Sequence, residues 1–211
     1  MDSTGLVGLP DDGFWGLIEG RRSVRRYADR AVPAPIVDEL LRAAHWAPSA
    51  HNRQPWRFVL LETPAPRRQL AERMAARWQA ELIADGADPA EATRRAHLSV
   101  RRVTGAPLVI LPCLDLSTLD EYPDPVRQQC EWQMGVQSVA LACQNLLLAA
   151  QHHGLVGCWM CAPIFCPELV VKTLALPSSW QPQALLTLGY PPDDAPTTKP
   201  RNPLEQHVLR L

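Results

Sequence analysis

Hydrophobic positions along the chain repeat with two periods. Ile36, Leu40, Leu41 and Ala44 follow a helical period behind Pro35, which suits a first helical turn, and Pro48 ends the run. Phe14, Trp15, Leu17 and Ile18 form one side of a shorter helix that Asp11 and Asp12 can cap and Gly20 stops. Leu70, Met74, Trp78 and Leu82 make a stripe on a helix over 66–84. The Asp85–Gly86 turn and the Asp88–Pro89 start lead into another helix through Arg102. The longest helix spans 124–153 and closes at Gly154; one more lies near 167–175. Four runs read as strands: RFVLLE (57–62), PLVILPCL (107–114), LVGCWM (155–160) and ALLTLGY (184–190). The second is apolar almost throughout, as a buried strand is. The tail over 191–203 carries five prolines in thirteen residues, which excludes regular structure. Helices and strands mix without strict alternation. This predicts an α+β layer structure around a small mixed sheet, with a flexible lead over 1–10 and a single domain over 11–211 that ends in an arm at 191–211.

Composition narrows the function classes. Hydrophobic residues make up 46% of the 211, which excludes a disordered chain. Twenty-one prolines are about twice ordinary usage and stiffen the connections. Twenty-one Lys and Arg against 22 Asp and Glu give a net charge of −1, without the positive field that nonspecific nucleic-acid binding needs. The most apolar stretch, 139–150, is broken by Gln144 and Asn145 and is too short to span a bilayer. The first residues lack the basic region of a secretory signal, and the six cysteines lack the loop spacing of a disulfide framework. A cytoplasmic protein, with no membrane or nucleic-acid partner, is expected.

Three segments carry candidate chemistry. In RRSVRRY (21–27), an extended backbone places Arg21, Ser23 and Arg25 on one side: two guanidinium forks and a hydroxyl, suited to a phosphate monoester. Taken alone, the same run also reads as a solvated basic linker. In APSAHNRQPW (47–56), two prolines hold a loop dense in neutral hydrogen-bonding groups, the kind of edge a planar heteroaromatic ligand needs; an ordinary helix-to-strand turn is the alternative. Lys199 and Arg201 add two cations in the tail. No glycine-rich phosphate loop is present, so any phosphate must be held by side chains. Cys158, Cys161 and Cys166 read as buried small hydrophobes rather than metal ligands, and His152–His153 as a helix-end cation pair. His51 is the one histidine kept as a site candidate.

Taken together, RRSVRRY, APSAHNRQPW, GLVGCWM, LGYP and KPR, in this order and spacing, resemble the FMN-dependent nitroreductase family over about residues 14–208. The resemblance implies a homodimeric α+β three-layer fold with a mixed, mainly antiparallel central sheet and two FMN sites at the subunit interface. It implies two-electron transfer from NAD(P)H through FMN to a small planar or conjugated acceptor of the nitroaromatic, quinone or dehydro-deazaflavin precursor type. By position, Arg21, Arg22, Ser23 and Arg25 are the expected cofactor contacts of the first segment, joined by Lys199 and Arg201. Pro48, Ser49, Ala50, Asn52 and Gln54 resemble the loop that reaches the partner's flavin, with Ala50 where the family often has a second hydroxyl. Cys161, Ala162, Pro163 and Ile164 occupy the stretch whose backbone faces the ring. Gln137 or Ser138 is the mid-chain candidate for a ring contact, and His51 the candidate general acid. No metal is expected. RRQLAERMAARWQAELIADG, EYPDPVRQQCEWQMG and IFCPELV are further similar to the flavin domain of the bifunctional proteins that make the 8-hydroxy-5-deazaflavin coenzyme, though not to the glutamyl ligase that precedes it there. Alternative readings are a flavin-fragmenting enzyme of the dimethylbenzimidazole-synthase kind, a reductive dehalogenase, a non-catalytic FMN-binding or sequestering protein, and an interaction protein without cofactor.

Overall fold

The computed structural model describes residues 13–193 and 200–211. Its helices are α1 (Phe14–Gly20), α2 (Ala34–His45), α3 (Pro64–Ala84), α4 (Pro89–Thr104), α5 (Pro125–His152) and α6 (Pro167–Leu174). Its strands are β1 (Trp56–Leu60), β2 (Leu108–Asp115), β3 (Val156–Met160), β4 (Trp180–Pro182) and β5 (Leu185–Gly189). Five of the helices, α2 to α6, have proline in their first two positions, where the missing N–H has no partner to lose. The Asp88 and Asp124 carboxylates cap α4 and α5 by accepting from the backbone N–H of Glu91 and Arg127 at 2.9 Å. Gly154, at φ 69°, takes the left-handed turn that ends α5. Asp11 and Asp12 lie outside the described residues; Gly13 stands at the start of α1 without a side-chain cap.

The strands form one sheet in the order β1-β2-β5-β3, with β4 also paired to β2. Every strand pair is antiparallel. The parallel component is a single bridge, Ser23 to Gly157. All eight residues of β2 are buried, and alternation explains how. Leu108, Ile110 and Leu114 face one core with Leu40, Val139, Cys143 and Leu146 of α2 and α5. Val109, Leu111 and Cys113 face a second core with Leu70, Met74, Val103 and Val170 of α3, α4 and α6. Two helical layers therefore sandwich the sheet, and the central strand is apolar on both faces although its neighbours run antiparallel.

The stripe on α3 divides. Leu70 and Met74 are buried, whereas Trp78 is 37% exposed and Leu82 half-buried, so the outer half of the helix leaves the core. None of the α1 residues is buried: Phe14 is 62% exposed and packs edge-on against Trp15. Among the described residues, no helix is long and apolar enough to cross a membrane.

Candidate functional site

Within residues 21–27, Ser23 forms a parallel bridge to Gly157. The Val24 N–H donates to the Gly157 carbonyl at 3.1 Å, and the Val24 side chain is buried. A Cβ on Gly157 would stand 3.1 Å from Leu147 and Leu188, so a bare backbone lets this strand pack tightly beneath the segment. The Tyr27 hydroxyl anchors the other end. It lies 2.8 Å from the carbonyls of Val24 and Thr187 and 2.7 Å from Thr187 Oγ1.

With Val24 turned inward, Arg25 points into a cavity of about 550 Å³, within the range of small-molecule sites. Met74, Arg77, Trp78, Glu81, Leu82 and Asp85 of α3 form one wall, and Ser99 and Arg102 of α4 another. Trp159 to Ala162, Phe165 and Cys166 close it from the end of β3. A second cavity, about 680 Å³, shares Arg25 and Arg102 and adds Ser23, Arg26, Tyr27, Leu98, Arg101, Gly105 and Pro192. Its lining holds four guanidinium groups and no carboxylate. Burial raises the Cys158 thiol, and Arg25, Arg102 and Arg21 pull it back down. Three cations thus act on the buried Cys158, which itself lines neither cavity. This arrangement can hold a phosphorylated ligand with an apolar, planar body: cations at the junction, and Trp78, Met160, Trp159 and Phe165 beyond it.

The placement of the expected residues is mixed. Ser23 and Arg25 line the cavities, and Arg21 lines neither. Arg22 does not. Its guanidinium donates to the backbone carbonyls of Glu19 and Arg21, the latter at 2.9 Å, and so caps α1. Arg26 lines the second cavity beside Arg25, and Ser23, Val24 and Tyr27 line it too, so the expected division into two sides does not hold along this segment. Cys161 and Ala162 line the first cavity; Pro163 is buried beneath them and Ile164 is exposed. Cys161 is not a buried hydrophobe but an exposed thiol, whose sulfur accepts from Trp159 Nε1 at 3.0 Å. Cys158 and Cys166 are buried, as expected. His153 pairs with Glu39 at 2.7 Å at the end of α5. Lys199 lies outside the described residues, and Arg201 is exposed.

The loop at 48–54 lines neither cavity. It is tightly wound: His51, Asn52 and Gln54 have φ of 52°, 54° and 50°, left-handed positions that cost non-glycine residues about 1–3 kcal/mol each. Ser49 Oγ accepts from the Gln54 N–H at 3.0 Å, and the Gln54 side chain donates to the Asn52 carbonyl at 3.3 Å. Ser138 is buried in α5, where its Oγ accepts from the Ala50 N–H at 3.2 Å and ties the loop down, while Gln137 is exposed. Pro48, His51 and Asn52 are exposed.

Sequence reasoning missed Arg101 and Arg102. Cations in the last turn of a helix also complement its dipole, so their pattern carried no separate signal. It missed Trp78 because a stripe residue looks like core until the helix is seen to outrun the sheet.

A model of the nitroreductase family matches residues 18–190. The NADH dehydrogenase of Thermus thermophilus is 33% identical, over 90% of this chain and 91% of that one. Among solved structures, a nitroreductase in complex with FMN from Desulfovibrio desulfuricans is 28% identical with a TM-score of 0.71, over 93% of this chain and 95% of that one. A BluB-like flavoprotein from Clostridium difficile shares the fold at a TM-score of 0.76 and 21% identity, over 93% of this chain and 98% of that one.

Proposed function

The chain belongs to the nitroreductase family, and from this premise we propose that it is an FMN-dependent oxidoreductase. It takes two electrons from NAD(P)H and passes them to a small planar or conjugated acceptor, a nitroaromatic, a quinone or a dehydro-deazaflavin precursor. The observation that carries this reading is the junction of the two cavities, where Arg25 and Arg102 stand between a pocket whose only charged groups are arginines and one with an aromatic wall.

The chain's residues fit the cofactor. Arg25, Arg102 and Arg101, with Ser23 beside them, would hold its phosphate, and Arg21 would add to the local positive potential. Trp159, Met160, Cys161 and Ala162 would face its ring system. Bound there, the flavin supplies the two-electron redox chemistry, and the protein supplies binding, orientation and electrostatics. The aromatic wall excludes water from one flank of the ring. The cations next to the site favour negative charge developing nearby. We assign no protein nucleophile.

We further propose a homodimer with shared sites, in which loop 48–54 of each chain covers the flavin of the other and the arm at 191–211 brings Arg201 toward the phosphate. Two observations support it. The loop is strained yet lines no cavity of its own chain. Trp46, Val126, Leu141, Leu204 and Leu209 are 81%, 71%, 47%, 70% and 82% exposed, an excess of apolar surface that a second copy would cover.

The test is direct. The purified protein, reconstituted with FMN, is examined by absorption spectroscopy, then reduced anaerobically with NADH or NADPH and offered each acceptor class. FMN on denaturation and turnover with a nicotinamide are expected. Recovery of FAD, a colourless product, or bound FMN that no nicotinamide reduces overturns the reading. Destruction of the flavin on re-oxidation points instead to fragmentation.

A further inference from the structure

Away from both cavities, His51, Asp120 and Glu131 come together. One ring nitrogen and one carboxylate oxygen from each acid all lie within 4.8 Å of one another. They come from three elements: the loop after α2, the segment before α5, and α5 itself. The cluster is unusual in Glu131, which is 1% exposed. Its Oε1 accepts a single hydrogen bond, from the Asp120 N–H at 3.2 Å. Its Oε2 is buried with no partner among the described residues.

A buried carboxylate oxygen without a partner is costly, and the charges nearby do not balance. Two carboxylates meet one guanidinium, Arg53, which pairs with Asp120 at the exposed edge of the cluster. Glu131, the carboxyl group that water does not reach, has no cationic partner among the described residues. His51 joins the two carboxylates from a left-handed backbone at φ 52°.

We propose that His51, Asp120 and Glu131 form a divalent-cation site that fastens the 48–54 loop to the start of α5. The donor set fixes the class of ion. One imidazole nitrogen and two carboxylates, with no thiolate, suit a first-row ion such as Mn²⁺ or Zn²⁺. Ca²⁺ wants six to eight oxygens, which this cluster does not offer. The ligand atoms must close from 4.8 Å to the spacing around one ion, a movement that the exposed His51 ring and the half-exposed Asp120 can make. Glu131 stays fixed as the buried anchor. Coordination positions toward solvent are left to water. The ion would neutralise the leftover charge and satisfy Oε2 in one step, and Arg53 would remain on the outer oxygen of Asp120.

The experiment uses full-length protein stripped with a chelator and titrated with Mn²⁺. Bound Mn²⁺ is counted by loss of the free-ion electron paramagnetic resonance signal, and thermal melts are run with Mn²⁺ or Zn²⁺. One ion per chain and a raised melting temperature are expected. His51→Ala and Glu131→Gln should each weaken Mn²⁺ by about tenfold or more. Without metal, Glu131→Gln should melt at or above the parent, because an amide replaces an unneutralised buried charge. His51 is exposed, so its variant tests the site even if the Glu131 variant fails to fold. No saturable binding at millimolar Mn²⁺ or Zn²⁺, or unchanged Mn²⁺ affinity in His51→Ala, overturns the proposal. None of these readouts depends on flavin, so the site and the oxidoreductase reading fail separately.

Discussion

Replacing Arg102 with alanine tests the cationic junction most sharply. Arg102 is half-buried, lines both cavities and acts on Cys158 together with Arg25. A hydrogen bond to a charged partner in such a place contributes about 1.5–3 kcal/mol. At about 1.4 kcal/mol per tenfold, Arg102→Ala should weaken FMN by about tenfold to a hundredfold. Arg101 makes a useful contrast. It is exposed and lines only the second cavity, so solvent screens it to about 0.2–1 kcal/mol, roughly a fivefold loss at most. Fluorescence titration of the apoprotein measures both variants. Riboflavin, which lacks the phosphate, is the decisive control, since its affinity should barely change in Arg102→Ala. The parent should lose FMN affinity with rising salt more steeply than the variant. Equal losses for FMN and riboflavin, or no loss at all, would refute the assignment of this junction to phosphate.

Other expectations follow from the same geometry. Arg25→Ala should weaken FMN more than Arg26→Ala, because Arg25 lines both cavities and Arg26 only one; titration of each variant decides it. Light scattering should find a dimer, and co-expressed Arg25→Ala and Asn52→Ala chains should regain up to half the activity per heterodimer, whereas an active monomer would end the shared-site proposal. Stability should fall in alkali. Burial raises the Tyr27 phenol far above its usual 10.0 and the Cys113 thiol from 9.0 to about 12. Each keeps its proton in the folded chain after the unfolded chain has released it, so its contribution is complete below about pH 9–10 and lost as pH rises above that. Denaturant melts across this window should slope downward, and less steeply in Tyr27→Phe.

The sequence announced the layers better than the site. The α5 run, the all-apolar β2 and the proline starts were legible because periodicity and φ preference act locally. The short strand β4 was not, since Trp180–Pro182 makes too few positions to show a period. The cationic segment was legible as a run of arginines but not by alternation, since Arg26 lines the second cavity beside Arg25; the anchoring of Tyr27 on Thr187 is a contact that local pattern cannot show. The same limit hid Arg102, whose partner cation comes from the other end of the domain. The left-handed backbone of the loop at 48–54 was not legible, because His51, Asn52 and Gln54 carry no glycine to announce it.

The docking of residues 21–27 also sets an order of events. Tyr27 is held by Thr187, 160 residues away, and Val24 by the backbone of Gly157. A chain emerging from the ribosome makes its arginine clamp early and must leave it idle until β3 and β5 have been synthesised and paired. Contacts of such long range form slowly. The two helical layers can assemble around the growing sheet first, but the clamp is set only when β5 arrives. On the proposed site, cofactor loading is expected to follow the pairing of β5, and a chain truncated before Thr187 should retain helices yet capture no flavin.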